Sequence, residues 1–465
     1  MVIKKYNLYI IINYIFFIFL IFFTNNKENI YILVPILTFI SILTWFIFSL
    51  KRKDGSLNID IGLFAVSFSF LYSIVPYLGY YLGGLNFGLL SDGRLQALKP
   101  TPLEMGYFSI NYVVYFFSLS AGYIYFRKNY GIDKFNKIIL TAYLRQLLLF
   151  LCIIFGLYFS ILEFGFGIGF NSGYNGDELS PGPLILEQIN GKLDGIYFIL
   201  YIALLGLCAY YIKNPIIASV LFFYVLFKLI NTFVFPGSRG EIISLLLYIT
   251  IFSKMFHNIN LQKVIIIFLL VFVIFILLGI LRSDGAVADL LISDELLRTL
   301  GSVQNEFQAV FATTLDVTDR IKDVSVPNAL LFNDFTPLLP PQQLLPFEKI
   351  AAADWYIKLI GLEGTGSGFM WGIITQAQIG FGVSELILRG LITSWFLAKI
   401  HNWFISRNEY FFSYVIYSFL CMSTVWIFRD TSGAILWIIV WTIMPTVILF
   451  YMFGLNVLVR NIILK

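Results

Sequence analysis

Charged residues are scarce in this chain of 465 residues: they make up 12% of it, about half the share found in an average soluble protein. Hydrophobic residues make up 59%, and the mean hydropathy is +0.85. A soluble fold could not bury so much apolar surface, and disordered chains do not contain it. The composition therefore excludes a soluble secreted or cytosolic enzyme and a disordered scaffold, and it predicts a polytopic membrane protein.

Cysteine and histidine are also scarce, with three and two residues respectively. Cys152, Cys208 and Cys421 lie within apolar runs, which is typical of small core residues rather than of disulfides or metal ligands. His257 and His401 are too far apart in the sequence to indicate a local metal motif. A net charge of +4 is too small for a nucleic-acid surface. We therefore expect no metal, no cofactor and no nucleic-acid partner.

Apolar runs of about 20 residues, the length that a spanning helix needs, recur along the chain. Closed membrane barrels would instead show alternating strands of about ten residues, so an all-α fold is predicted. About twelve transmembrane helices are expected near residues 7–23, 31–50, 59–83, 105–126, 141–163, 194–211, 215–234, 240–254, 264–281, 384–400, 410–428 and 433–453. The stretch 369–383 is a candidate half-helix that enters the membrane without crossing it.

The basic residues of the short loops predict the orientation of these helices. Lys and Arg concentrate in alternate loops, which places both termini in the cytoplasm by the positive-inside rule. Three regions result: residues 1–281 with helices 1 to 9, a large periplasmic loop at 282–368, and residues 369–465 with helices 10 to 12. The large loop holds six basic and twelve acidic residues, a net charge of −6 that is opposite in sign to the cytoplasmic loops.

Long loops of this kind are usually functional. Within the large loop, leucine and valine recur at helical spacing, which predicts an amphipathic helix at the membrane surface. The residues that form this pattern are Val287, Leu290, Leu291, Leu297 and Leu300. A second outer loop, rich in Gly, Asn and Pro, is expected at about 164–193.

A short polar segment, 235–241, lies at the predicted outer junction between the seventh and eighth helices. Its Pro–Gly pair is expected to end one helix, and Ser238 to cap the next. The first amides of that helix, near Arg239, Gly240 and Glu241, would then face outward beside a guanidinium. The segment is a candidate anion-binding site; the alternative is that Arg239 only reaches the lipid headgroups.

Two further arginines end predicted helices on the outer side, where the positive-inside rule disfavours basic residues. Arg282 is followed by Asp284, and Arg429 is followed by Asp430. Each alone is typical of a headgroup anchor or a local ion pair. Together with Arg239 they predict a diphosphate site, because a planar guanidinium can bind two phosphate oxygens at once.

Other polar residues are weaker candidates for the same site. Arg94 lies in a Ser–Asp–Gly–Arg turn, and Lys228 lies inside the seventh span, where it either has a function or reaches outward to the surface. Glu385 and Arg389 are four residues apart on the tenth helix and are expected to neutralise each other. Both histidines fall in predicted cytoplasmic loops, so a general base on the outer face would be a carboxylate (Asp284, Asp430 or Glu306), a tyrosine or the substrate.

On these features the chain resembles the Wzy-type O-antigen polymerases, which join oligosaccharide repeat units. The resemblance rests on about twelve spans, one large outer loop late in the chain, the motif 236–240 at the start of a helix, a glycine-rich return to the membrane at 364–382, and the motif 428–431. It covers most of the chain in layout, and its specific motifs are a few residues each.

The resemblance implies a glycosyltransferase of lipopolysaccharide biosynthesis in the bacterial inner membrane, with its active site on the periplasmic side. Its substrate would be an oligosaccharide on undecaprenyl diphosphate, and its partners a chain-length-regulating copolymerase and a flippase. Arg239, Arg282 and Arg429 would stabilise the departing diphosphate, with Asp284 or Asp430 as base. Aromatic side chains of the outer loops would stack on sugar rings.

Three other functions compete with this one. A flippase or transporter of lipid-linked oligosaccharide also has about twelve helices, but it usually has two similar halves and charges along a midplane cavity. An O-antigen ligase uses the same donor and commonly carries an outer-loop histidine, which is not found here. A membrane acyltransferase would have a histidine within the membrane, and the predicted spans contain none.

Overall fold

The computed structural model describes residues 29–50, 60–83, 100–127, 184–234, 239–257, 306–338, 350–361, 371–407, 410–429 and 433–452, together with Gln146 and Phe150. Every regular element within these ranges is helical, which confirms the predicted all-α class at that level. The predicted spans 7–23 and 264–281, most of 141–163 and the predicted amphipathic helix at 287–300 lie outside the described residues.

The helices are numbered here in chain order. The α-helices are α1 (Ile30–Leu50), α2 (Ile61–Gly83), α3 (Pro102–Phe126), α4 (Leu184–Tyr210), α5 (Pro215–Val234), α6 (Arg239–His257), α7 (Glu306–Arg320), α8 (Ala352–Leu359), α9 (Ile373–Ile379), α10 (Val383–Ser406), α11 (Phe411–Ser423), α12 (Val425–Arg429), α13 (Ala434–Ile438) and α14 (Met444–Met452). A 3₁₀ helix (Asn328–Leu338) follows α7, and a π-helix (Ile439–Ile443) joins α13 to α14.

The chain divides into two compact units. The first unit comprises Met1–Asn129, Gly285–His401 and Ser423–Leu436, and the second comprises Tyr130–Asp284, Asn402–Met422 and Trp437–Lys465. The first therefore contains α1 to α3, α7 to α9, most of α10, and α12. The second contains α4 to α6, most of α11, and α14.

Three helical segments in the described residues are long and apolar enough to cross a membrane: Ile30–Leu50, Ile61–Tyr81 and Phe411–Arg429. Each coincides with a predicted span. The protein therefore has the character of an α-helical membrane protein. The number of crossings and the orientation stay predictions.

Several predicted boundaries need correction. Helix α4 begins at Leu184, well inside the predicted loop 164–193, because Pro183 can precede a helix and good helix formers follow it. Helix α10 continues through Ser406, so His401 lies within this helix and not in a loop. His257 is likewise the last residue of α6. An apolar run does not predict where a helix begins or ends, because polar residues extend these helices beyond the run.

Local sequence signals explain where two helices of the first unit begin. At α3, the Thr101 hydroxyl accepts from the Glu104 amide at 3.3 Å, the Glu104 carboxylate accepts from the Thr101 amide at 2.7 Å, and Pro102 opens the helix. This is a complete capping box. At α2, the Asp60 carboxylate accepts from the Gly62 amide at 2.9 Å and caps the helix in the same way.

Contacts along the helices of the first unit give their relative directions. Tyr31 and Phe46 at the two ends of α1 lie against Gly106 and Tyr123 of α3, so α1 and α3 run parallel. Helix α2 runs antiparallel to α3, because Tyr77 bonds to the carbonyl of Met105 whereas Asp60 bonds to Tyr123. Ser118 and Gly122 of α3 meet Gly390 and Ser394 of α10, so these two helices are parallel.

Helix α7, which belongs to the predicted outer loop, packs inside the first unit. The Phe311 ring lies 5.7 Å from that of Tyr77 and 5.5 Å from that of Phe108, and the Phe307 ring lies 4.8 Å from that of Tyr72. Helix α7 is therefore parallel to α2, and its last residues lie toward the end of α2 at Gly83. This part of the loop is a built-in element of the helical bundle.

In the second unit, α4 and α6 run parallel. The ring of Phe198 lies 6.3 Å from that of Tyr248, and further along the His257 ring makes a 2.8 Å hydrogen bond to the carbonyl of Ala209. Helix α11 packs on α6 through Phe256, whose ring lies 5.4 Å from that of Tyr414. Aromatic contacts thus account for much of the packing between these helices.

Candidate functional site

A buried cluster of three charged side chains lies in the first unit and is centred on Arg389 of α10. The Arg389 Nε donates to Glu385 Oε1 at 2.6 Å, which confirms the predicted pair. The same guanidinium donates through NH1 to Asp334 Oδ2. Each side chain is 11–14% exposed. Burying charges is costly unless they are paired, and here one cation faces two carboxylates.

Asp334 belongs to the 3₁₀ helix and also contacts the turn at Gly433, directly before α13. Its Oδ1 accepts from the Gly433 amide at 3.2 Å. A side chain at Gly433 would overlap with the backbone carbonyl of Asp334, so only glycine permits this approach. One carboxylate therefore joins three segments that are distant in sequence: the loop, α10 and the start of α13.

Arg429, the last residue of α12, lies four residues before Gly433 in the chain. Its guanidinium carbon lies 4.7 Å from the centre of the Trp426 ring, within the range of a cation–π contact. The residue before Arg429, Phe428, lies close to Gly372: its carbonyl oxygen is 3.0 Å from the position that a Cβ atom at Gly372 would occupy. The chain is thus held by close backbone approaches before and after Arg429, at Phe428 and at Gly433.

Hydrogen bonds join the elements that surround this segment. The hydroxyls of Thr314 in α7 and Thr375 in α9 lie 2.7 Å apart. The Gln376 amide donates to the carbonyl of Leu330 at 2.7 Å and accepts from the Trp371 indole at 2.8 Å. Because these groups are buried and paired, α7, the 3₁₀ helix and α9 form one connected body.

A further buried bond joins α7 to α8. Asp316 accepts from the Tyr356 hydroxyl at 2.7 Å and from Arg320 Nε at 2.7 Å. Burial and the neighbouring carboxylate raise the pKa of Tyr356 well above its ordinary value, so the hydroxyl stays protonated and donates. These hydrogen bonds hold α8 against α7.

A second charged cluster lies elsewhere in the same unit. Asp60 accepts from the Tyr123 hydroxyl, lies 2.9 Å from Arg127 Nε and 3.4 Å from His401 Nε2. His401 and Arg389 are twelve residues apart on α10, so the two clusters are about 18 Å apart along the helix. The positive-inside prediction assigns the Asp60 cluster to the cytoplasmic end.

The structure describes only part of the predicted site. Arg239 begins α6, Gly240 and Glu241 follow in its first turn, Lys228 lies within α5, and Glu306 begins α7; their side chains lie outside the described part. The remaining predicted residues, which are Arg94, Ser238, Arg282, Asp284 and Asp430, lie outside the described residues altogether.

Helix α5 ends at Val234 and α6 begins at Arg239, and residues 235–238, where the break was predicted, lie outside the described residues. Arg239 belongs to the second unit and Arg429 to the first. The convergence of the three arginines on one diphosphate therefore stays a prediction. Among the described residues, no three His, Cys, Asp or Glu side chains lie together as metal ligands would.

Sequence analysis missed Asp334. It is one of twelve acidic residues in the large loop, and no local pattern distinguishes it from solvated neighbours. The one available signal was Arg389: a charged residue in a predicted span needs partners, and Glu385 alone leaves room for a second one.

Comparisons with protein-family models, with curated proteins and with solved structures find no match to this chain.

Proposed function

We propose that this protein is a membrane glycosyltransferase, a Wzy-type O-antigen polymerase that extends glycans carried on undecaprenyl diphosphate. It would act at the periplasmic face of the bacterial inner membrane. About twelve spanning helices, including those predicted outside the described residues, would hold the lipid-linked substrates within the bilayer. The apolar helices and the long acidic loop support this proposal.

The observation that carries the proposal is the placement of Arg429. Its guanidinium lies over Trp426 at the end of a short helix, and Asp334 and Gly372 contact the chain at Gly433 and at Phe428. An arginine that is oriented before the reaction can stabilise charge that develops on a leaving group, and such a donor often contributes about 3 kcal/mol. Arg389 forms ion pairs with Asp334 and Glu385, and we assign it no role in this step.

The reaction would be a glycosyl transfer. A hydroxyl at the non-reducing end of a newly flipped unit attacks the anomeric carbon of the growing glycan, a new glycosidic bond forms, and the bond from that carbon to the diphosphate oxygen breaks. The carrier diphosphate leaves with the bonding electrons, and the hydroxyl proton passes to a base. Arg429, with Arg239 and Arg282, would stabilise the diphosphate, and Asp284 or Asp430 would accept the proton.

Reconstitution in liposomes tests the proposal directly. The protein is supplied with lipid-linked repeat units, and the products are separated by size. We expect a ladder of longer glycans from the wild-type protein. Arg429→Ala and Arg429→Lys should both lower the rate by about 10²-fold, because a single ammonium does not reproduce the bidentate fork. Lys322→Ala, which removes an exposed cation of the loop, is the matched control and should leave the ladder unchanged.

The products also distinguish the competing functions. Movement of the lipid-linked unit across the membrane without elongation would indicate a flippase. A single transfer onto lipid A core would indicate a ligase. Wild-type protein that yields none of these products, despite being folded, would contradict the proposed polymerase.

A further inference from the structure

We infer that Asp334 is a positioning residue that sets the location of the Arg429 guanidinium by holding the turn at Gly433, four residues further along the chain. The inference rests on the proposed function, in which Arg429 stabilises the departing diphosphate. It concerns a carboxylate of the large loop that the proposed reaction does not itself use. Its partners are Arg389 of α10 and the backbone of Gly433.

The two oxygens of Asp334 bind different segments. Oδ2 accepts from the Arg389 guanidinium, whereas Oδ1 accepts from the Gly433 amide. Both oxygens are therefore committed to donors of the protein, and the side chain is 11% exposed. This arrangement favours a role in holding the chain over a role as the base that accepts a substrate proton.

The turn is held by backbone contacts as well as by the carboxylate. Any side chain at Gly433 would overlap with the carbonyl of Asp334. At the other end, Gly372 has φ +28 and lies against the carbonyl of Phe428, and a Cβ there would lie 2.6 Å from Val310 Cγ1. Both glycines let the loop elements approach the segment that carries Arg429, so a shift of Asp334 is transmitted to this segment.

Arg389 also pairs with Glu385, so a change at Asp334 can be tested without leaving a buried, unpaired guanidinium. When Asp334 is changed, Glu385 still lies 2.6 Å from Arg389 Nε, so the guanidinium is not left without an anion. Asp334→Asn retains an oxygen for Gly433 and loses only the charge pair. Asp334→Ala loses both contacts. Comparing the two variants separates the hold on the turn from the hold on α10.

The first measurement does not depend on the proposed function. Hydrogen exchange is followed in peptides that cover residues 428–436 of the full-length protein in detergent micelles. We expect faster exchange in Asp334→Ala than in the wild type and a smaller increase in Asp334→Asn. Asp354→Asn, an exposed carboxylate of α8, is the matched control and should leave this region unchanged. Equal exchange in all four proteins would overturn the inference.

The second measurement uses the glycan ladder, with kcat and KM determined for the lipid-linked unit. We expect Asp334→Ala to lower kcat about tenfold and to leave KM within about twofold, because the substrate still binds but the leaving group is less well stabilised. In a protein that already carries Arg429→Lys, Asp334→Ala should lower kcat less than about twofold further. The effects of two residues that act through one another are not additive.

A merely structural role gives a different pattern. Loss of folded protein would lower the apparent rate equally with and without Arg429→Lys, and full additivity therefore overturns the inference. If Asp334→Ala does not fold, Asp334→Asn and Arg389→Lys carry the same test. Wild-type protein without polymerase activity would refute the proposed function alone, because hydrogen exchange would still report whether Asp334 holds the turn.

Discussion

The Ser118 hydroxyl of α3 occupies the space that a side chain at Gly390 of α10 would need. Four residues further along both helices, Ser394 and Gly122 repeat the relationship with the roles exchanged. Small residues at a spacing of four let helix backbones approach closely, a packing mode that is typical of membrane helices. The seam also aligns α10, and therefore Arg389, against α3.

Overfilling this seam should destabilise the first unit. Gly390→Val is expected to cost about 1–3 kcal/mol, because the backbone amide of Leu119 lies 3.0 Å from the new Cβ and cannot rotate away. Thermal unfolding in detergent micelles measures the loss. Ile392→Ala, on the exposed face of α10, is the control and should have little effect. Combining Gly390→Ala with Ser118→Ala should recover part of the loss from Gly390→Ala alone.

Removing the carboxylate at Asp60 should be severe. Asp60→Ala would leave Arg127 and His401 buried without their anion and would also remove the cap of α2, so a loss of about 3–5 kcal/mol is expected. The same thermal assay measures it. Asp319→Ala breaks the exposed pair with Lys322 and should leave the thermal unfolding almost unchanged. Similar losses from the two variants would contradict the buried role of Asp60.

Tyr356 predicts a specific dependence of stability on pH. Its pKa is raised in the folded protein by burial and by Asp316, so its contribution is complete below the pKa of an exposed tyrosine, about 10. Above that pH the unfolded chain ionises first, and the contribution is lost. The stability difference between wild type and Tyr356→Phe should therefore be constant from pH 6 to about 9 and should shrink above about 10. A difference that grew above pH 10 would be inconsistent with this assignment.

The ring of Trp426 should matter for activity. Trp426→Leu removes the face over which the Arg429 guanidinium lies at 4.7 Å, and we expect a several-fold lower rate of glycan elongation. Trp395→Leu is closely matched, because this tryptophan also has a cation nearby, Lys399 at 5.6 Å, and a similar exposure. Its variant should retain the wild-type rate. Equal losses would indicate a general effect of surface tryptophans.

Helix positions were largely predictable because they depend on local sequence. The apolar runs at 31–50, 59–83 and 215–234 correspond closely to α1, α2 and α5, and α6 begins at Arg239, directly after Ser238 in the sequence. The start of α4 was wrong because residues 184–193 contain polar side chains and Gly, yet form a helix. Hydropathy detects the membrane-compatible part of a helix and not its full length.

The pairing of charged residues was predictable only within one helix. Glu385 and Arg389 are four residues apart and meet on the same face of α10 by helix geometry alone. Asp334 is 55 residues from Arg389 in the sequence, and their contact depends on how the 3₁₀ helix packs against α10. It also depends on Gly433, which has no side chain to block the approach of Asp334. No periodic pattern in the sequence predicts a contact between residues so far apart.

By itself, then, the sequence determined that the chain is helical and suited to a membrane, because composition and a 3.6-residue repeat act over short stretches. Only the tertiary structure decided that Asp334 is the second carboxylate paired with Arg389, that α7 packs among α2 and α3, and that Asp60 contacts Tyr123, Arg127 and His401. These outcomes depend on close approach between helices far apart in the chain, where a buried charge selects the partner that its packing brings within reach.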